Sequence, residues 1–152
     1  MKLVRFVSGQ WQYALELNEI NLLNLLLKQF PFTDLQPVQI SRSDKDSKAK
    51  EREKLLNESL AQHRKLLKKA AVNLLEAGKI KHQNEGWLLT LALEDREVLL
   101  QILNDIRVGC WNALGQPAEL EPKVENLTAE EQRFHGLMNA AGYFEHSLLE
   151  QA

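Results

Sequence analysis

Cysteine is almost absent from this chain: Cys110 is the one thiol in 152 residues. A lone cysteine excludes an intramolecular disulfide framework and fits a reducing compartment, so a cytoplasmic location is expected. Long apolar runs are missing too. The stretch "WLLTLAL" at 87–93 is far short of the roughly 20 residues that a membrane span needs, so no membrane partner is expected. The start, "MKLVRFVSGQW", turns polar before an apolar secretory core can form. No glycine-rich phosphate loop, nucleophile elbow or zinc-peptidase motif occurs. Histidines are few as well. His135 and His146 share a helical face but lie three turns apart, about 16 Å, and His63 and His82 lack Cys or His neighbours at ligand spacing. Neither metal nor cofactor nor catalytic residue is therefore expected, and the chain reads as a non-enzyme.

What is present is the composition of one soluble globular domain spanning 1–152, with 44% apolar and 26% charged residues. The net charge of −2 conceals a polarity. Between Ser41 and Lys69 ten basic residues face five acidic ones, whereas from Glu94 onward eleven acids face four bases. Such a distribution forms a solvated, salt-bridged helix face, steers an anionic partner to one side, or brings two copies together head to tail. Lys48, Lys50, Arg52, Arg64, Lys65, Lys68 and Lys69 are the candidate anion or nucleic-acid contacts.

The pattern predicts a mainly α fold with minor β: about four helices and two short hairpins. "LVRFV-SGQ-WQYALEL" reads as two β-favouring runs around a Gly-containing turn. Asn18 is placed to cap the following helix, whose Leu22, Leu23, Leu26, Leu27 and Phe30 recur at helical spacing until Pro31. Residues 31–47, with two prolines and alternating charge, read as a long flexible loop. A long helix from Ser47 to Ala77 follows, closed by Gly78 and carrying the stripe Leu56, Leu60, His63, Leu67, Ala71 and Leu74. "KIKHQ-NEG-WLLTLAL" is a second hairpin. A helix from about Asp95 to Leu114 ends at "GQP", and "PAELEPKVEN" reads as a loop. The last helix opens on "TAEE", read as a capping box between Thr128 and Glu131, and runs to about Glu150.

The plan occurs twice. "WQYALELNEINLLNLLL" aligns with "WLLTLALEDREVLLQIL" without a gap at a shift of 76 residues, so that Trp11 falls on Trp87, Leu15 on Leu91 and Leu27 on Leu103. The expected halves are 1–78 and 79–152, each a hairpin, helix, loop and helix. The two tryptophans open the second strand of each hairpin and suit cross-strand packing better than base stacking.

Two charges stand in apolar stripes. Arg107 lies among Leu100, Leu103, Trp111 and Leu114 at helical spacing, and Glu145 interrupts Phe134, Leu137, Met138, Ala141, Leu148 and Leu149. An unpaired charge in either place is costly, so Arg107 and Glu145 are expected to pair as a structural bridge between the two C-terminal helices, with Glu19 as second choice. A ligand pocket around Arg107, Glu145 and Asn104 is the competing reading. Cys110 shares a face with Leu99, Leu103 and Ile106 and has no neighbouring base, which makes it a core residue.

The segment "LEDREVLLQILNDIRVGCWNALG" resembles an uncharacterised bacterial family, a domain of unknown function known best from actinobacteria. Leu103, Asn104, Asp105, Arg107, Leu114 and Gly115 resemble its "LND-x-R…LG" signature. "LVRFVSGQWQYALELNEINLLNLLLKQF" is similar to its opening hairpin and leucine-rich helix, although "QFPF" replaces the family's usual "R-L-F-P". The resemblance implies no activity. Family genes often lie near an adaptor of the Clp protease, which implies protein handling by association alone.

The function expected from these readings is a non-enzymatic protein-interaction or regulatory module, acting on a protein partner or by self-association into a homo-oligomer. The alternative is a nucleic-acid-binding or transcription-associated protein that uses the basic helix at 42–69. Against it, Glu51, Glu53 and Glu58 interrupt the basic run.

Overall fold

The structure, a computed structural model, describes residues 1–32, 47–76, 78–118 and 126–150. Its elements are β1 (Lys2–Val7), β2 (Gln10–Leu15), α1 (Leu17–Gln29), α2 (Ser47–Glu76), β3 (Ile80–Gln83), β4 (Gly86–Leu91), α3 (Leu93–Ala113) and α4 (Ala129–Leu149). The mainly α fold with minor β is thus present as four helices and two hairpins. The expected flexible loop at 31–47 and the loop at 117–126 fall largely outside the described residues, as do Arg42 and Lys45 of the basic run.

The hairpins do not pack as separate units. They join through β2 and β4 into one antiparallel sheet of order β1-β2-β4-β3. The register pairs Trp11 with Leu91, Tyr13 with Leu89 and Leu15 with Trp87. Tyr13 and Leu89 are 76 residues apart, so the ladder is centred on two positions that the sequence repeat makes equivalent. An antiparallel pair has a local two-fold axis perpendicular to the sheet, and here that axis relates the two hairpins. Phe6 packs against Trp11 with ring centroids 4.5 Å apart, and its counterpart His82 meets Trp87 at 5.0 Å. Ser8 and Asn84, again 76 apart, both take positive φ in the two-residue turns.

Alternation along the strands buries Tyr13, Leu15, Leu89 and Leu91 on one face, while Ala14 on the other is exposed. Against the buried face lie Leu23, Leu26 and Leu27 of α1 and Leu99, Ile102, Leu103 and Ile106 of α3. The α4 helix completes the core with Leu137, Ala141, Phe144 and Leu148. Leu149, expected in that stripe, is exposed because the helix ends there.

Helix starts differ from expectation in an instructive way. Glu16 rather than Asn18 is the N-cap of α1, and its backbone N–H donates to Glu19 Oε2 at 2.8 Å. At the equivalent start of α3 the backbone N–H of Ala92 donates to Asp95 Oδ2 at 3.1 Å. A carboxylate three residues into the helix satisfies the cap amide in both halves, so neither start needs a polar N-cap side chain. In α4 the Thr128 hydroxyl accepts from the Glu131 N–H at 3.2 Å, which is one half of the expected capping box.

The long helix behaves differently along its length. Among its described side chains Leu67, Ala71 and Leu74 are buried, whereas Leu60 is half-buried and Leu56 exposed. The expected stripe therefore meets the core only in its C-terminal half. The reason is geometric. Arg64 pairs with Asp105 of α3 at 3.7 Å, and beyond α2 Lys79 pairs with Asp95 near the start of α3, so the two helices run antiparallel. From Arg64 back to Ser47 the helix covers about 26 Å, while α3 has only about 12 Å left after Asp105. The N-terminal part of α2 thus extends past the end of α3.

Candidate functional site

Arg107 and Glu145 meet, as their places in two apolar stripes require. Arg107 Nη1 donates to Glu145 Oε2 between α3 and α4. The two ends differ in surroundings: the Arg107 side chain is 46% exposed and that of Glu145 only 11%. The stem of Arg107 rests over Gly142, where a Cβ would stand 3.9 Å from its Cδ and Nε. Glu145 Oε1 is buried without a hydrogen-bond partner. Among the described residues Glu145 is the one hydrogen-bond partner of Arg107, so much of the guanidinium remains open on its exposed side. Glu19, the second choice, instead accepts from Tyr143 and from the Met1 amino group.

On that open side Asn104, Arg107, Val108 and Trp111 of α3, with Met138 of α4, line a cleft of about 220 Å³. Asn104 and Arg107 line this cleft and Glu145 does not. The indole of Trp111 is fixed, because its Nε1 donates to the Pro117 carbonyl at 3.1 Å. Cys110 faces the core, where burial pushes its thiol up to about 11 against a weaker opposing influence of Arg133. A thiol so placed is held in its protonated form near neutral pH, as befits a core residue.

The basic candidates of α2 divide by role. Arg64 pairs with Asp105, and Lys68 Nζ donates to the Phe30 carbonyl at 3.1 Å, so both dock the helix on the body. Lys48, Lys50, Arg52, Lys65 and Lys69 are exposed. At 100° per residue Lys54, Lys65 and Lys69 fall within one outward arc opposite Leu67, Ala71 and Leu74, with Lys50 at its edge and Glu51 and Glu58 inside it. Leu55 and Leu66, 66% and 67% exposed, share a neighbouring face at three turns' separation. His63, expected in the apolar stripe, is exposed, with its Nε2 3.2 Å from Gln101 Oε1.

Three features escaped the sequence reading. Asp105 accepts from the Phe32 backbone N–H at 3.3 Å as well as pairing with Arg64, so it ties both the chain after α1 and α2 to α3. Arg96 lies 4.9 Å over the Trp11 ring and donates from Nε to the Leu148 carbonyl at 2.9 Å, a C-terminal cap for α4 that Tyr13 Oη shares at 3.3 Å. Neither bond joins residues near in sequence, so no local pattern announced them. The third is a cleft of about 520 Å³ at the end of the sheet, lined by Glu16, Glu19, Glu85, Trp87 and Tyr143 among others, where Glu19 is already committed to the α1 cap.

Among the described residues no group of three or more His, Cys, Asp or Glu could hold a metal ion, and no helix is long and apolar enough to cross a membrane. Comparison with protein-family models, with curated proteins and with solved structures finds no match to this chain.

Proposed function

We propose that this chain is a non-enzymatic protein-interaction or regulatory module whose working element is α2. The observation that carries this reading is the outer face of α2, a helix of 30 residues, where Leu55 on the part that runs past α3 and Leu66 on the docked part stand 66% and 67% exposed. Covering large apolar side chains that stand in water on a helix face recovers roughly 25 cal/mol per Å² of apolar surface. An amphipathic helix is also a standard way to engage a partner groove. The likeness of "LNDIR" to a family encoded near a Clp protease adaptor points the same way, toward protein handling. A photo-crosslinking residue at position 66, with a control at exposed Asn139, tests the reading in cells. A discrete product from position 66 alone, with itself or with another protein, is the expected result. No product at 66, or the same products at 139, overturns it.

A second reading is favoured by the outward arc of Lys50, Lys54, Lys65 and Lys69, which suits a phosphate backbone. Anisotropy of labelled single- and double-stranded oligonucleotides over a salt series decides it. Binding that weakens steeply with salt and is lost when the four lysines become alanine supports nucleic-acid contact. Absence of binding at low salt leaves the arc as a solvated face.

A further inference from the structure

Asn104, Arg107, Val108 and Trp111 stand at positions i, i+3, i+4 and i+7, so their side chains form one stripe over about two turns of α3. Met138 from α4 supplies the opposing wall of the cleft between them. The cleft is chemically divided. Arg107 and Asn104 give it a donor-rich end, whereas Val108, the Trp111 ring and Met138 give it an apolar one. Both ends are held in place: Glu145 grips one nitrogen of the guanidinium, and the Pro117 carbonyl holds the indole. A site held in its binding geometry loses little entropy when a ligand arrives.

We propose that this cleft binds a carboxylate bearing an apolar side chain, with the carboxylate on Arg107 and Asn104 and the apolar group between Val108, Trp111 and Met138. Three observations select that chemistry. Glu145 already balances the guanidinium charge, so the pair has no surplus charge to hold a phosphate dianion, whereas a monoanion needs only the N–H donors left unused. The donors Arg107 leaves unused suit the two oxygens of a carboxylate. At about 220 Å³ the cleft is smaller than the roughly 300–1,000 Å³ of drug-sized sites, so it accepts about one side chain. A free apolar acid and the C-terminal residue of a polypeptide share this chemistry. The inference does not depend on the role of α2.

The test is a nitrogen-15 NMR titration of the full chain that follows the Trp111 indole, assigned with Trp111→Phe. The probes are N-acetyl-L-leucine, its primary amide, and a six-residue Gly/Ser peptide ending in leucine as acid and as amide. Both acids should shift the Trp111 indole and the amides should bind about ten-fold more weakly or not at all, the worth of a charge-assisted hydrogen bond. Tighter binding of the peptide acid than of acetyl-leucine assigns the site to a polypeptide C-terminus; equal binding assigns it to a free acid. Arg107→Gln should lose binding by a similar factor. Val108→Glu, at an exposed helical position that leaves the fold intact, should do the same by placing a repelling carboxylate at the mouth. Glu145→Gln should bind at least as tightly as the parent. Equal binding of acids and amides, no shift with millimolar acid, or unchanged affinity in Val108→Glu overturns the proposal.

Discussion

Tyr13 and Leu89 face each other across the β2–β4 pair, both buried, and mark the point about which the two hairpins repeat. Their consequences for stability should differ. Leu89→Ala opens a cavity at the centre of the sheet and should cost about 2–5 kcal/mol. Tyr13→Phe keeps the ring and loses only the hydroxyl that reaches the Leu148 carbonyl at 3.3 Å, a loss of about 1 kcal/mol. Urea unfolding of the two variants measures the contrast; equal losses would contradict the central packing of Leu89.

The Arg107–Glu145 pair should show the asymmetry of a charge held in the core. Arg107→Ala leaves Glu145 buried and alone, and because the guanidinium is half-exposed the cost should be about 1–3 kcal/mol rather than that of a fully buried pair. Replacing both, as Arg107→Met with Glu145→Leu, should be close to neutral, since no charge is then stranded. A double-mutant cycle in urea checks it. A double variant as unstable as Arg107→Ala would show that the pair does more than compensate its own burial.

Two helical glycines should respond with opposite signs. A Cβ at Gly109 would collide with the Phe32 ring, which packs edge-on against Phe134 at 5.5 Å. Gly109→Ala should therefore destabilise by about 1–2 kcal/mol despite the helical preference of alanine. A Cβ at Gly136 meets nothing within 4 Å, so Gly136→Ala should stabilise α4 by up to about 1 kcal/mol. Thermal unfolding of both variants provides the comparison.

Alkaline conditions should weaken the fold. Burial raises the Cys110 thiol from 9.0 to about 11 and also raises the Tyr13 phenol above 10.0. Each group holds its proton longer in the folded chain than in the unfolded one. The stability tied to Cys110 is complete below pH 9 and is lost as pH rises through about 11, with Tyr13 adding loss of the same sign above pH 10. Unfolding measured from pH 8 to 11 should show this decline, and Cys110→Ala should flatten its first part. Iodoacetamide should label Cys110 at pH 8 only at the rate of unfolding.

Much of the candidate site was legible in the sequence, for one reason. A charge inside an apolar stripe creates an electrostatic demand, and Arg107 and Glu145 were the two charges that needed each other. The cleft beside them was less legible. Trp111 and Val108 read as parts of an amphipathic helix, and nothing local shows that Met138 of another helix stands across from them. The basic residues of α2 are alike in sequence, yet Arg64 and Lys68 anchor the helix while Lys65 and Lys69 face solvent. That distinction depends on where the helix crosses α3 and α1.

By itself the sequence determined the local elements: periodicity drew the helices, turn residues placed the hairpins, and the 76-residue shift paired the halves. These follow from backbone geometry and from neighbours within a few residues. The tertiary structure alone decided that β2 and β4 join the hairpins into one sheet about Tyr13 and Leu89, that Arg96 caps α4, and that half of the α2 stripe stays uncovered. Each of these rests on contacts between residues tens of positions apart, where the energy lies in the meeting of two surfaces and neither carries its mark alone.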